Sequence, residues 1–83
     1  MLTVSVISPE RVLFEGEASS VVAPAYDGEV GILTDHAPMM TLLGRGTLRV
    51  DASGGAQRYD VSGGFLQVLD NTVRVVTEHA QPL

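Results

Sequence analysis

The sequence predicts an all-β fold, a flattened sandwich or barrel of eight to ten short strands. Three observations lead there. Apolar and polar residues alternate with a period of two, as they do along a strand with one buried side. Gly, Pro, Asp and Asn interrupt the alternation at short intervals, with nine Gly and four Pro in 83 residues, and short strands punctuated in this way close into sandwiches or barrels. Two segments also pair with themselves so that turn chemistry and side-chain pattern agree. No window holds apolar residues at helical spacing.

Taken in order, Leu2, Val4 and Val6 alternate with Thr3 and Ser5 until Pro9 ends the run. Residues 12–14 read as a second short strand and residues 20–24 as a third. Gly28 and Gly31 frame a brief extended piece, and residues 39–43 follow Pro38 as another. In residues 65–76, Asp70-Asn71 suits a two-residue turn because both side chains tolerate positive φ. That turn sets Val68 against Val73 and Leu66 against Val75 on a core face, with Gln67 and Arg74 on the other. A second hairpin is expected around a four-residue loop, Ser53-Gly54-Gly55-Ala56. Its register opposes Val50 to Tyr59, Leu48 to Val61, Arg49 to Asp60 and Asp51 to Arg58. The four charges then form a solvated sheet face whose pairs contribute about 0.2–1 kcal/mol each.

Size and charge narrow the function. The chain is expected to form a single domain over residues 1–83. A net charge of −5 and a pI near 4.6 argue against nucleic acid and anionic membrane surfaces as partners. There is no cysteine, hence no disulfide framework or thiolate metal site. The start of the chain lacks the basic residues and apolar run of a signal peptide. No apolar stretch approaches the roughly 18 residues of a membrane span, so a membrane is expected to be reached only through a partner.

Catalytic patterns are missing as well. His36 and His79 are far apart and lack partners at metal-site spacing. Asp27, Glu29, Asp35 and His36 are sparser than the oxygens of a calcium loop. Gly28-Glu29-Val30-Gly31 is too short for a nucleotide fingerprint and opens no helix, while Gly63-Gly64 reads as a bulge or a close backbone approach. The expectation is no catalysis, no metal and no cofactor. Residues 25–43 are unusual for a plain connection, mixing glycines, acids, a histidine and adjacent Met39 and Met40. The methionines read as core filling ahead of docking.

In that stretch, Gly28-Glu29-Val30-Gly31-Ile32-Leu33 followed by His36-Ala37-Pro38-Met39-Met40-Thr41 resembles the signature of the rotary ATP synthase epsilon subunit family. Ser62-Gly63-Gly64-Phe65 with Val68, Asn71, Val73 and Val75 resembles a second landmark of that family, and Leu2 to Ser8, Pro9 and Phe14-Glu15-Gly16 align with its opening strands. The resemblance implies a β-sandwich of about ten strands in two sheets at the foot of the central stalk, with the gamma subunit and the membrane c-ring as partners. By this likeness Asp27, Gly28, Glu29, Val30 and Gly31 would face the c-ring loops, and Ser8, His36 and Thr41 would lie near gamma. The implied role is non-catalytic coupling of ring rotation to the stalk, peripheral on the cytoplasmic face of a bacterial plasma membrane. Thr34-Asp35 departs from the family's frequent Pro-Gly and adds a negative charge beside the expected interface. The likeness is to a short form: Gln81-Pro82-Leu83 does not read as the start of a helix, whereas longer relatives continue into two helices that carry inhibition and, in some, ATP binding. Neither property is carried over.

Two other classes fit less well. Carbohydrate-binding sandwiches present exposed aromatic platforms, and this chain has no Trp and only two Phe and two Tyr. A hydrolase would need paired acids in a pocket, and no such pairing is evident.

Overall fold

An alternating strand buries every second side chain, and the first strand does so: Leu2, Val4 and Val6 are fully buried while Thr3 is exposed. A computed structural model describes residues 1–83. It contains β1 (Leu2–Ile7), β2 (Val12–Ala25), β3 (Gly28–Leu33), β4 (Met39–Leu42), β5 (Arg45–Ala52), β6 (Gly55–Leu69) and β7 (Thr72–Pro82), and no helix. The expectation of about ten short strands is corrected to seven, because three of them are long. β2 joins the pieces read separately at 12–14 and 20–24, and β6 and β7 run unbroken for 15 and 11 residues.

Each long strand changes neighbours part-way. β2 pairs with β1 through residues 12–18 and with β3 through residues 20–25. β6 passes from β5 to β4 between Ser62 and Phe65. β7 lies between β1 and β6 as far as Val76, and beyond it pairs with β6 alone. Strands that switch partners in this way turn the corners between two packed layers. One layer holds β3, the second half of β2, β5, the first half of β6 and the second half of β7. The other holds the first half of β2, β1, the first half of β7, the second half of β6 and β4. The pairings β1–β7–β6–β5–β2–β1 close a ring around the core. Each layer thus has five members, which is why short alternating segments suggest more strands than the chain has.

The corners carry their own chemistry. In β2 the corner is Ser19, an extra residue against β5. Its hydroxyl donates to the Asp51 carbonyl oxygen at 3.1 Å, and the Ser20 hydroxyl donates to Asp51 Oδ2 at 2.6 Å. In β6 the corner is Gly63-Gly64, with φ of 73° and 102°. A Cβ on Gly64 would overlap the Val76 carbonyl oxygen, so this pair marks a close backbone approach and not a bulge. In β7 the buried Thr77 donates its hydroxyl to the His79 carbonyl at 2.8 Å.

Sixteen buried apolar residues form one cluster between the layers, each Val or Leu contributing about 1.5–3 kcal/mol by its burial. Tyr59 is the buried aromatic. Its hydroxyl donates to the Leu13 carbonyl oxygen at 3.3 Å, and burial raises its pKa above the usual phenol value.

The two hairpins read from sequence fare differently. Asp70 and Asn71 take φ of 50° and 58°, and Leu69–Thr72, Val68–Val73, Gln67–Arg74 and Leu66–Val75 are paired as expected. The β5–β6 hairpin keeps Leu48 and Val50 inward but is shifted by two residues. Ala52 pairs with Gly55, Val50 with Gln57, Leu48 with Tyr59 and Arg49 with Arg58. Ser53-Gly54 is therefore a two-residue turn, closed by Gly55 at φ 121°. A shift of two preserves the faces, because side chains repeat every second residue. The expected pairs Arg49–Asp60 and Asp51–Arg58 do not form. Arg49 instead donates from Nε to Asp51 Oδ1 on its own strand at 2.8 Å.

Candidate functional site

The β2–β3 hairpin places residues 27–31. Ala25 pairs with Gly28 around the turn Tyr26-Asp27, and Gly28 takes φ 131°, which only glycine adopts without strain. Alternation along β3 then turns Glu29, Gly31 and Leu33 outward, while Val30 packs against the core and Ile32 is fully buried. Of the five residues expected at the ring, Asp27, Gly28, Glu29 and Gly31 are exposed and Val30 half-buried.

Ser8, His36 and Thr41 are not brought together. Ser8 caps the β1–β2 connection, its Oγ donating to the Arg11 carbonyl oxygen at 3.2 Å, and lines a polar cleft with Glu10, Arg11, Glu78 and His79. His36 lies in a separate depression formed with Asp35, Pro38, Asp70 and Asn71, and its Nδ1 donates to the Ala37 carbonyl oxygen at 2.7 Å. Thr41 sits on β4 beside an apolar groove of about 410 Å³, lined also by Tyr26, Met40, Leu42 and Phe65. Asp27, Glu29, Asp35 and His36 do not converge on a metal site.

Asp35, the departure from Pro-Gly, has a local explanation. It holds φ 67°, a left-handed conformation in which Asp follows Gly and Asn in tolerance. Its N–H donates to Asn71 Oδ1 at 2.6 Å, and Asn71 Nδ2 donates back to Asp35 Oδ1 at 3.1 Å. This reciprocal clasp ties the loop carrying His36 to the β6–β7 turn and occupies the added carboxylate.

The largest feature was missed from sequence. Val12 pairs with Ile7, Ile7 with Val76, Val76 with Phe65, and Phe65 with Leu42. Paired residues share a face, so these five apolar side chains form one row across the outer face of the second layer, spanning roughly 19 Å at strand spacing. Val12 and Leu42 are 55% and 63% exposed. Tyr26 and Met40, at 69% and 64%, extend the row at its β4 end, where the Tyr26 N–H donates to the Leu42 carbonyl oxygen at 3.1 Å. Of the residues expected near gamma, Ser8 follows Ile7 at one end of the row, whereas Thr41 pairs with the buried Leu66 and touches the groove only from the core side of β4. The reading of Met39 and Met40 as core filler holds for Met39, which packs on the core. It is corrected for Met40, because neighbours on a strand point to opposite sides.

Residues 1–83 match the family described as "ATP synthase, Delta/Epsilon chain, beta-sandwich domain". The chain belongs to that family. An ATP synthase epsilon chain from Leptospira borgpetersenii is 46% identical over 78 residues, covering 94% of this chain and 61% of the relative. Another from Syntrophomonas wolfei is 44% identical over 77 residues, covering 92% and 56%. The chain thus spans about three fifths of the length of these curated epsilon relatives. Among solved structures, a chain of the Euglena gracilis mitochondrial ATP synthase OSCP/F1/c-ring assembly superposes with a TM-score of 0.88 at 27% identity, over 98% of this chain and 52% of that one. A chain of the Tetrahymena thermophila central stalk/c-ring structure shares the fold, with a TM-score of 0.82 at 16% identity, over 96% and 65%.

Proposed function

We propose that this domain is a non-catalytic part of the central stalk of a rotary ATP synthase. It grips the gamma subunit with the outer face of its second layer and meets the c-ring with the hairpin carrying Glu29. The observation that carries this reading is the apolar row Val12–Ile7–Val76–Phe65–Leu42. A domain of this size has no folding reason to keep five apolar side chains aligned outside its core, and contiguous exposed apolar surface marks a protein interface. Ser8 borders the row at one end, and Thr41 lines the groove at the other from the core side of β4. His36, held by the Asp35–Asn71 clasp, lies beyond it and belongs to the gamma contact as a peripheral member. Asp27, Gly28, Glu29, Val30 and Gly31 form the end nearest the ring, joined to the row through Tyr26 and Leu42. Family membership supports the assignment, and with it a peripheral place on the cytoplasmic side of a bacterial membrane, reached through the complex.

Leu42→Asp tests the reading. The side chain is largely exposed, so the urea midpoint of the isolated protein stays within error of wild type. Affinity for the gamma subunit of the same synthase, measured by calorimetry, falls about thirtyfold or more, as for a central apolar contact. A variant that binds gamma as tightly as wild type overturns the assignment of this face.

A further inference from the structure

Most glycines here answer to the fold. Gly28, Gly55, Gly63 and Gly64 hold positive φ, and a Cβ at Gly44 or Gly46 would press on Ala25 or Pro24 at 2.8 or 3.1 Å. Gly31 answers to neither demand. Its φ lies outside the left-handed region, and a Cβ built on it meets nothing within 4 Å. It lies within a strand, where glycine is unfavourable because it loses the most backbone freedom on folding. It points outward between Glu29 and Leu33, the latter 64% exposed, and pairs with the half-buried Val22. β3 is also the last strand of its layer, with no neighbour beyond it.

We infer that Gly31 is a specificity-determining contact, kept bare so that the main chain of a partner loop can lie directly on β3. This rests on the reading of the Glu29 hairpin as the ring-facing end, and it specifies the partner's chemistry. The loop crosses β3 with its backbone over Gly31, directs an N–H or cationic donor to the Glu29 carboxylate, and sets an apolar side chain against Leu33. The acidic pair Asp27 and Glu29, with no cation bonded to either, matches a loop rich in donors. A methyl group on Gly31 would hold that backbone off and loosen the other two contacts with it.

The test uses two variants, each in complex with the gamma subunit, measured for thermal midpoint and for affinity to the detergent-solubilised c-ring. Gly31→Ala raises the midpoint by about 2–6 °C, because it restricts the unfolded chain without a clash in the folded one. It weakens ring binding about tenfold, as overpacking a close contact does. Glu29→Lys leaves the midpoint unchanged and weakens ring binding. A lowered midpoint for Gly31→Ala shows that the fold itself needs the glycine and overturns the inference. If Glu29→Lys weakens ring binding while Gly31→Ala binds like wild type, the inference fails and the ring-facing assignment stands. If neither variant changes binding, the ring-facing assignment fails and the inference with it.

Discussion

The two outer faces of the sandwich meet the same solvent, yet they are made of different chemistry. On the second layer, Val12, Ile7, Val76, Phe65 and Leu42 line up across five strands. On the first layer, β5 and β6 turn outward Arg45, Arg49, Asp51, Arg58 and Asp60, with Arg49 directly opposite Arg58. Like charges opposed across a strand pair are unfavourable, and Arg49 turns along its own strand to Asp51 instead. Folding requires only that the inward residues be apolar. The outward composition is therefore free to record what each face touches: under the proposed function the apolar row records a partner, while the charged β5–β6 surface, away from the β3 edge, records water.

Three changes probe how independent the faces are. The largest effect belongs to Gly64→Ala, at the corner where β6 leaves one layer for the other. The new Cβ would collide with the Val76 carbonyl at a φ of 102°, so stability to urea falls by about 3 kcal/mol or more and gamma binding goes with it. A variant that unfolds at the wild-type midpoint would show that the corner can move, and that the layers are not rigidly coupled there. Next comes Asn71→Gly, which keeps the positive φ of the turn but removes the clasp on Asp35 and leaves that residue left-handed without its partner. It costs about 1 kcal/mol in urea titrations and acts through the loop that mounts His36. Asp35→Gly, which supplies the same backbone conformation without strain, stays close to wild type.

The smallest effect tests the charged face alone. The Ser20 hydroxyl, and after it Arg49, hold the Asp51 carboxyl below its ordinary value of 3.8. A depressed carboxylate adds stability above its unfolded pKa, and that contribution is lost as pH falls through the lower folded value. Wild type therefore loses stability below pH 3.8 in a way that Asp51→Asn does not, seen by comparing thermal midpoints from pH 5 downward. Gamma binding of Asp51→Asn at neutral pH matches wild type. If it does not, the division between an apolar docking face and a solvated charged face is wrong.

The β6–β7 hairpin was legible because Asp70-Asn71 dictates a turn with both φ values positive, leaving a single register. The β5–β6 hairpin was not, since Ser53-Gly54-Gly55-Ala56 allows more than one loop. Charge pairs of a fraction of a kcal/mol pointed to the wrong loop, and Gly55 closing a two-residue turn decided the matter, as Gly28 does after Tyr26-Asp27. Faces survived that error because the slip was even. The hairpin carrying Glu29 could be located from its own residues and its family likeness. The apolar row could not, because no stretch of sequence contains it. It arises where a parallel pairing, β1 with β7, meets a crossover pairing, β4 with β6, and each strand contributes a single side chain.

The parallel contact between β1 and β7 also bears on how the chain is made. On a ribosome, β1 can pair at once with β2, but its other edge stays bare until residues 72–76 have emerged. At about 5–20 residues per second that is a delay of several seconds, during which Val4 and Val6 have half their cover and the ring is open. Ring closure must await nearly the whole of these 83 residues, so a stall late in translation leaves a nascent chain whose β1 edge is free to pair with any extended segment nearby.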